Sequence, residues 1–272
     1  MTSKKNSHIS TDLIHHGYKP PAEFESPQPG TFKASTVFFP NVAAMRQREW
    51  KDKSAYTYGT HGTPTTFTLE ERLCTLEGGK HCVLTPSGLS ALAVAAFAVL
   101  KTGDHVLLPD NSYGPNKTLA EGELQSFGVS HTYYDAMNPQ DLASKIQSNT
   151  KLVWLEAPGS VSMEFPDLVQ LVKTCKAHPV ITALDNTWGA GLAFKPFDLL
   201  GDGSLSVDLT AHALTKYPSG GGDVLMGSVV TRDEALHRDV LLCHMRLGLG
   251  VSANDAELVL RGLQTIELRY HQ

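Results

Sequence analysis

The sequence lacks most of the features that would place it in a special environment. Its four cysteines, Cys74, Cys82, Cys175 and Cys243, include no Cys-x-x-Cys pair. That spacing excludes a zinc ribbon or a thioredoxin-like redox centre and leaves reduced, mostly buried thiols as the expectation. The twelve histidines are scattered, His15-His16 are adjacent and share no helix face, and no His-x-x-x-His pair occurs. No metal site is therefore expected. Positive charge is also scarce: 23 Lys and Arg against 28 Asp and Glu give a formal net charge of −5. Without a long basic run, Lys4-Lys5 is too little to hold nucleic acid. The longest apolar stretch, Ala91 to Leu100, is about half of what a membrane-spanning helix needs. The first residues lack the apolar block of a secretory signal. The expectation is a cytoplasmic protein that binds neither nucleic acid nor membrane.

What remains is a 272-residue chain of ordinary soluble composition, 41% hydrophobic and 19% charged. That is enough for one large domain with appendages. Residues 1–62 carry Pro20-Pro21, Pro27, Pro29 and Pro40 and few periodic apolar runs, so they read as an arm lying on another surface. From Thr65 the pattern becomes regular. Leu69, Leu73 and Leu76 recur at helical spacing before the stop at Gly78-Gly79. A strand over His81–Leu84 leads through Ser87-Gly88 into an Ala-rich helix ending at Leu100. Strand-like runs follow at Val106–Leu108, Val129–Tyr134, Leu152–Glu156, Val180–Leu184 and Ser206–Thr210. Helical stretches at Asn116–Ser126, Gln140–Gln147 and Pro166–Ala177 separate most of them. Such alternation predicts an α/β fold, a mostly parallel sheet with helices on both faces, over residues 63–258. Ala256–Tyr270 reads as one helix without a glycine stop, so residues 259–272 are expected to begin a further C-terminal domain that is largely missing.

In open sheets of this kind ligands bind beyond the carboxyl ends of the strands. Pro86-Ser87-Gly88, Pro109–Tyr113, Glu156–Ser160 and Asp185–Thr187 all fall at such ends, which places the active site there. Ser87-Gly88-Leu89 opens a helix, whose free N–H groups suit a phosphate, although a plain Ser cap reads the same way. Asp185 ends a buried strand and needs a partner, either a cationic ring nitrogen or a nearby loop. Lys216 is flanked by apolar residues and followed by Gly220-Gly221-Gly222. Partial burial there would favour a neutral nucleophilic amine, the alternative being a lysine that snorkels out of a strand end. Tyr113 can stack on a planar ring or simply pack. Tyr58, by composition alone, marks a turn.

Taken together, six segments resemble in order and spacing the signatures of the Cys/Met-metabolism family of pyridoxal-phosphate enzymes. They are Ser87-Gly88-Leu89, Asn111-Ser112-Tyr113, Glu156-Ala157-Pro158-Gly159-Ser160, Asp185-Asn186-Thr187-Trp188, Thr215-Lys216-Tyr217 and Arg261-Gly262-Leu263-Gln264-Thr265. The loop through Gly159-Ser160 with Met163-Glu164 is most similar to the cystathionine β-lyase branch, since γ-type relatives usually carry Asn at a position such as Gly159. The resemblance implies fold type I, with pyridoxal 5'-phosphate carried by Lys216 as a Schiff base. It further implies that Asp185 pairs with the pyridine nitrogen and that Tyr113 stacks on the ring. Ser87, Gly88, Leu89 and Thr215 would hold the phosphate, with Tyr58 reaching it from a neighbouring subunit of a homodimer or homotetramer. The implied catalytic groups are Lys216, which removes the α-proton, and Lys216 or Tyr113, which protonates the departing sulfur. The implied reaction is α,β-elimination on a sulfur amino acid, L-cystathionine giving homocysteine, pyruvate and ammonia. A γ-lyase or γ-synthase, or a cofactor-binding but inactive fragment without the substrate-carboxylate site, stays open beside it. Three departures from the pattern stand out. Thr60 replaces a common arginine, with His61 as a partial substitute. Ala213 replaces a common serine. The arginine that clamps the substrate carboxylate in relatives belongs to the missing domain.

Overall fold

The computed structural model describes residues 26–51 and 53–272. Lys4-Lys5, His15-His16, Pro20-Pro21 and the first part of the predicted arm, residues 1–25, lie outside the described residues. Short apolar runs bounded by turn residues form seven strands. In chain order these are β1 (His81–Thr85), β2 (His105–Pro109), β3 (Ser130–Tyr134), β4 (Thr150–Glu156), β5 (Ile181–Asp185), β6 (Leu209–Ala213) and β7 (Gly227–Thr231). They form one sheet in the order β1-β7-β6-β5-β4-β2-β3. Neighbours pair in parallel except around β7, which runs antiparallel between β1 and β6.

The helices are α1 (Val42–Arg46), α2 (Pro64–Glu77), α3 (Gly88–Val99), α4 (Gly114–Leu119), α5 (Pro139–Lys145), α6 (Leu168–Lys176), α7 (Glu234–Leu247), α8 (Ala253–Leu263) and α9 (Ile266–Tyr270). Strands send alternate side chains to opposite faces, and here both faces are covered. Leu107, Val153, Leu155 and Leu184 meet residues of α2, α5, α6 and α8 in one core. Val106, Leu108, Trp154 and Ala183 meet residues of α3, α4 and α7 in the other. The expected α/β architecture is what forms. Each fully buried Leu contributes roughly 1.5–3 kcal/mol relative to exposure. Among the described residues no helix is long and apolar enough to cross a membrane. Cys74, Cys82 and Cys175 are buried free thiols, and Cys243 is partly buried.

Helix ends follow local chemistry. Thr63 caps α2 reciprocally with Thr66, and Gly78 ends it at a φ of 81°. Asp167 and Asp233 cap α6 and α7 through their carboxylates.

Four elements differ from the sequence reading. The expected helix Asn116–Ser126 begins earlier, at Gly114, and widens into a π-type turn over Ala120–Leu124. The expected strand Ser206–Thr210 is displaced to Leu209–Ala213. Asp208 stays outside it because its carboxylate accepts from Thr182 N and Thr182 Oγ1, both at 2.8 Å. β7 had no counterpart in the strand pattern. The expected helix Ala256–Tyr270 is two helices, starting at the Ser252 cap and breaking at Gln264-Thr265. There the Gly262 carbonyl accepts from Thr265 N at 3.1 Å and from the Arg269 guanidinium at 2.6 Å, which ends the regular ladder. The boundary expected between residues 258 and 259 falls inside α8, whose Val259 and Leu260 are both buried in the main core.

Candidate active site

The carboxyl ends of β1, β2, β4, β5 and β6 lie on one rim of the sheet, where a cleft of about 340 Å³ opens. One end of it is built by the turn from β1 into α3. Ser87 caps α3, its Oγ accepting from Ser90 N at 3.0 Å. The first N–H groups of a helix have no intrahelical partner and carry partial positive charge, so Gly88 and Leu89 present donors suited to a phosphate. A Cβ at Gly88 would stand 2.5 Å from the Ala213 Cβ, so this turn is pressed against the end of β6. Ala213 thus has a packing role where a larger side chain would crowd the turn.

Opposite stands a pair of acids. Asp185 and Glu156 are register partners at the ends of β5 and β4, and both are buried. Paired residues on adjacent strands share a face, so the two carboxyls are neighbours. Asp185 Oδ1 accepts from Thr187 N at 3.1 Å, and Asp185 forms no ion pair among the described residues. Burial raises its pKa, and Thr187 only partly opposes that rise. Glu156 accepts from Tyr113 N at 2.8 Å and from Ser160 Oγ at 2.5 Å. Burial first, and then the charge of Asp185, push its carboxyl up to about 8. A buried carboxyl pair of this kind holds a proton or takes up a cation.

Lys216 lies in the turn beyond β6, three residues after its last residue, Ala213. Its Nζ sits 6.0 Å from the centroid of the Trp188 ring and joins no ion pair among the described residues. The partial burial expected for this lysine is not observed. It is exposed at the cleft, because it occupies a turn on the sheet's rim rather than a strand. Tyr113, at the start of α4, and Thr215 line the same cleft. Ser87, Gly88, Leu89, Tyr113, Asp185, Thr215 and Lys216 are therefore brought together. Tyr58 is not. It is half exposed on the arm, away from the cleft, with its ring edge-on to His61. His61 is held by Thr57, and burial with Arg48 nearby lowers its pKa. An imidazole kept neutral in this way replaces an arginine's charge poorly.

Three contributions escaped the sequence reading. Glu156 was visible only as part of a loop motif, yet its carboxyl positions Tyr113. His212, fully buried on β6, pairs with Glu77 of α2 at 3.1 Å. Arg269 donates to Tyr217 O at 2.5 Å, and the Tyr270 hydroxyl donates to Trp188 O at 3.2 Å. The short helix α9 thereby ties the Lys216 turn to the Asp185 turn. A periodicity scan assigns such residues only to a helix face, because their partners lie far away in sequence.

The residues present fit pyridoxal 5'-phosphate. The helix start suits its phosphate, the unpaired Lys216 amine suits its aldehyde, and the uncompensated Asp185 carboxylate suits a protonated ring nitrogen. An amine, a buried carboxylate and a helix N-terminus lining one cleft on the rim of a mostly parallel sheet make up the arrangement that pyridoxal-phosphate binding on fold type I requires. Comparison with known proteins narrows the class. Residues 10–272 match the family of Cys/Met metabolism PLP-dependent enzymes, and the chain belongs to that family. It is 37% identical over 282 residues to a cystathionine beta-lyase of Bordetella avium, covering 100% of this chain and 68% of that one. It is 38% identical to a putative cystathionine beta-lyase of Rhizobium johnstonii, covering 97% of this chain and 64% of that one. The solved cystathionine gamma-lyase from Lactobacillus plantarum complexed with L-serine superposes with a TM-score of 0.81 at 26% identity, over 96% of this chain and 65% of that one. The chain thus spans about two thirds of the length of the curated relatives it matches.

Proposed function

We propose that this chain supplies the cofactor-binding and proton-transfer groups of a carbon–sulfur lyase that cleaves a sulfur amino acid by α,β-elimination. The best substrate is L-cystathionine, which with water gives homocysteine, pyruvate and ammonia. One observation carries the reading: Lys216, Asp185 and the Ser87–Leu89 helix start open into one cleft, with Tyr113 at its wall.

Bound pyridoxal phosphate supplies an electron sink for the charge left when the α-proton departs. Asp185 would pair with the ring nitrogen and keep it protonated, which would also relieve the cost of burying its own carboxylate. Ser87 Oγ and the N–H groups of Gly88 and Leu89 would hold the phosphate. Tyr113, held in place by the Glu156 carboxyl on its backbone N–H, would cover the ring and exclude water from that side. Lys216 Nζ takes the α-proton, and Lys216 Nζ or the Tyr113 hydroxyl returns a proton to the departing sulfur.

The similarity to cystathionine beta-lyases supports β-cleavage. Superposition on a cystathionine gamma-lyase supports γ-cleavage as the second reading, because the cofactor residues serve both. Product analysis separates the two: pyruvate marks β-cleavage and 2-oxobutyrate marks γ-cleavage. The arm supports assembly into a homodimer or homotetramer, since Phe32, Phe38, Val42, Met45 and Tyr58 stand exposed on it. Within such an assembly Tyr58 would serve a neighbour's phosphate, and a cytoplasmic setting suits the buried free thiols. The test of the site is borohydride reduction of the cofactor-loaded protein followed by peptide mapping. A pyridoxyl mass on Lys216, absent from Lys216→Ala, is expected; an unlabelled Lys216 refutes the assignment.

A further inference from the structure

The turn that carries Lys216 closes most of its own hydrogen bonds. Ala213 O accepts from Lys216 N at 3.1 Å, Leu214 O from Ser219 N at 3.0 Å, and Lys216 O from Gly220 N at 3.1 Å. Thr215 O accepts from Ser219 Oγ at 3.0 Å. The next carbonyl, Tyr217 O, is taken from outside by Arg269, whose Nη1 donates to it at 2.5 Å. The same guanidinium donates through Nη2 to Gly262 O at 2.6 Å and through Nε to Thr265 Oγ1 at 3.1 Å. It lies close against the turn, since a Cβ at Gly220 would stand 2.5 Å from Arg269 Cζ. Gly262 presses on the turn from α8, where a Cβ would come within 2.2 Å of Pro218 O.

On its other side α9 is anchored to the turn that follows Asp185. Tyr270 Oη donates to Trp188 O at 3.2 Å, and the Tyr270 ring stands 4.9 Å from that of Tyr217. Of the five residues of α9, Ile266 alone is buried, so the helix adds little to the core. Its polar side chains end instead on backbone carbonyls of two cleft turns. Arg269 joins no ion pair among the described residues. The rigid fork of its donors, rather than a partner's charge, therefore defines its place.

We infer that Arg269 is a positioning residue. Braced by Tyr270 against the Trp188 turn, it holds the Lys216 turn so that the Lys216 amine meets the aldehyde of a bound cofactor. The inference rests on the pyridoxal-phosphate reading of the cleft. In the linking step the neutral amine forms a C=N bond to the aldehyde carbon, and the carbonyl oxygen leaves as water with the two amine hydrogens. That step depends on where Nζ stands, whereas the phosphate and the ring nitrogen are met by other turns, at Ser87–Leu89 and at Asp185. Misplacing a reacting group by about 1 Å costs on the order of 100-fold. Loss of the guanidinium thus weakens the linkage and spares the rest of cofactor binding.

Two ligands separate these contributions. Pyridoxal phosphate can link to Lys216, whereas pyridoxamine phosphate keeps the ring and the phosphate but carries an amine in place of the aldehyde and cannot link. Dissociation constants for both are measured by calorimetry on the parent, Arg269→Ala, Arg269→Lys and Tyr270→Phe, with borohydride mapping of Lys216 alongside. R269A should weaken pyridoxal phosphate about 10- to 100-fold and leave pyridoxamine phosphate within about twofold of the parent. A merely structural defect would weaken both alike. R269K, whose compact ammonium cannot reproduce the fork, should show the same split at smaller size, and so should Y270F. Equal weakening of both ligands in R269A, or no weakening of either, overturns the positioning role, while a labelled Lys216 in the parent leaves the cofactor reading intact. If R269A does not fold, R269K decides by the same split, and a parent-like ratio of the two constants there overturns the role. A parent-like ratio in Y270F overturns the bracing by Tyr270. An unlabelled Lys216 in the parent overturns the cofactor reading and the positioning role with it.

Discussion

Replacing Glu156 by glutamine is expected to make the cofactor-free protein more stable in alkali and to leave it nearly unchanged in acid. Glu156 is buried beside Asp185, and burial with that neighbouring charge moves its carboxyl from the ordinary 4.5 to about 8. The folded chain therefore holds this proton more tightly than the unfolded chain does. The resulting stability is full below about pH 4.5, falls as pH rises, and is gone above about pH 8. At about 1.4 kcal/mol for each tenfold change in proton affinity, ionising Glu156 in place costs the fold up to about 5 kcal/mol. Glutamine mimics the protonated acid. Its amide oxygen accepts from Tyr113 N, and its amide nitrogen donates to Ser160 Oγ, so the two contacts seen here survive in kind. Urea unfolding followed by circular dichroism at pH 5, 7 and 9 measures the difference. The gap between E156Q and the parent should be small at pH 5 and reach several kcal/mol at pH 9. Pyridoxal phosphate should narrow it at pH 9, since a ring cation beside Asp185 relieves the same repulsion. Parallel stability curves across the three pH values would refute the reasoning.

Asp185→Ala should retain part of the cofactor, through Lys216 and the helix start, yet lose most turnover in a pyruvate-release assay; full activity would end the electron-sink role given to Asp185. Ser87→Ala removes the cap on Ser90 N, so a loss of about 1 kcal/mol in urea unfolding is expected, together with weaker cofactor binding by absorbance titration. Leu155→Ala, at a fully buried position of β4, should cost about 2–5 kcal/mol by the same unfolding assay, and a cost below about 1 kcal/mol would contradict the packing described.

The layers of the fold were legible because period and punctuation agree. β5 reads as an apolar run ending in Asp185, and α3 reads from its Ser87 cap through an Ala-rich stretch. β7 was not legible, since Gly-Ser-Val-Val-Thr is short and follows a glycine-rich turn. β6 was misplaced because Asp208 looks like a strand residue until its bonds to Thr182 are seen. In the site, the residues that touch the cleft follow strand ends and could be found by position. Glu77, Arg269 and Tyr270 could not be found that way. Each acts on a turn through a partner at least 52 residues away, a relation that no local pattern encodes.

The reversed strand β7 supplies no group to the chemistry, but it works as a gauge. Thr85 of β1 and Ala213 of β6 both face Gly227, so the strands that lead into the Ser87 turn and the Lys216 turn end level with each other, two strand spacings or roughly 10 Å apart. The level at which the two turns leave the sheet is thus set by backbone ladders, before the Ser87 turn folds back against Ala213. A Cβ at Gly227 would come within 2.3 Å of the Ser87 carbonyl, so even a methyl group placed there would disturb that level from outside the cleft.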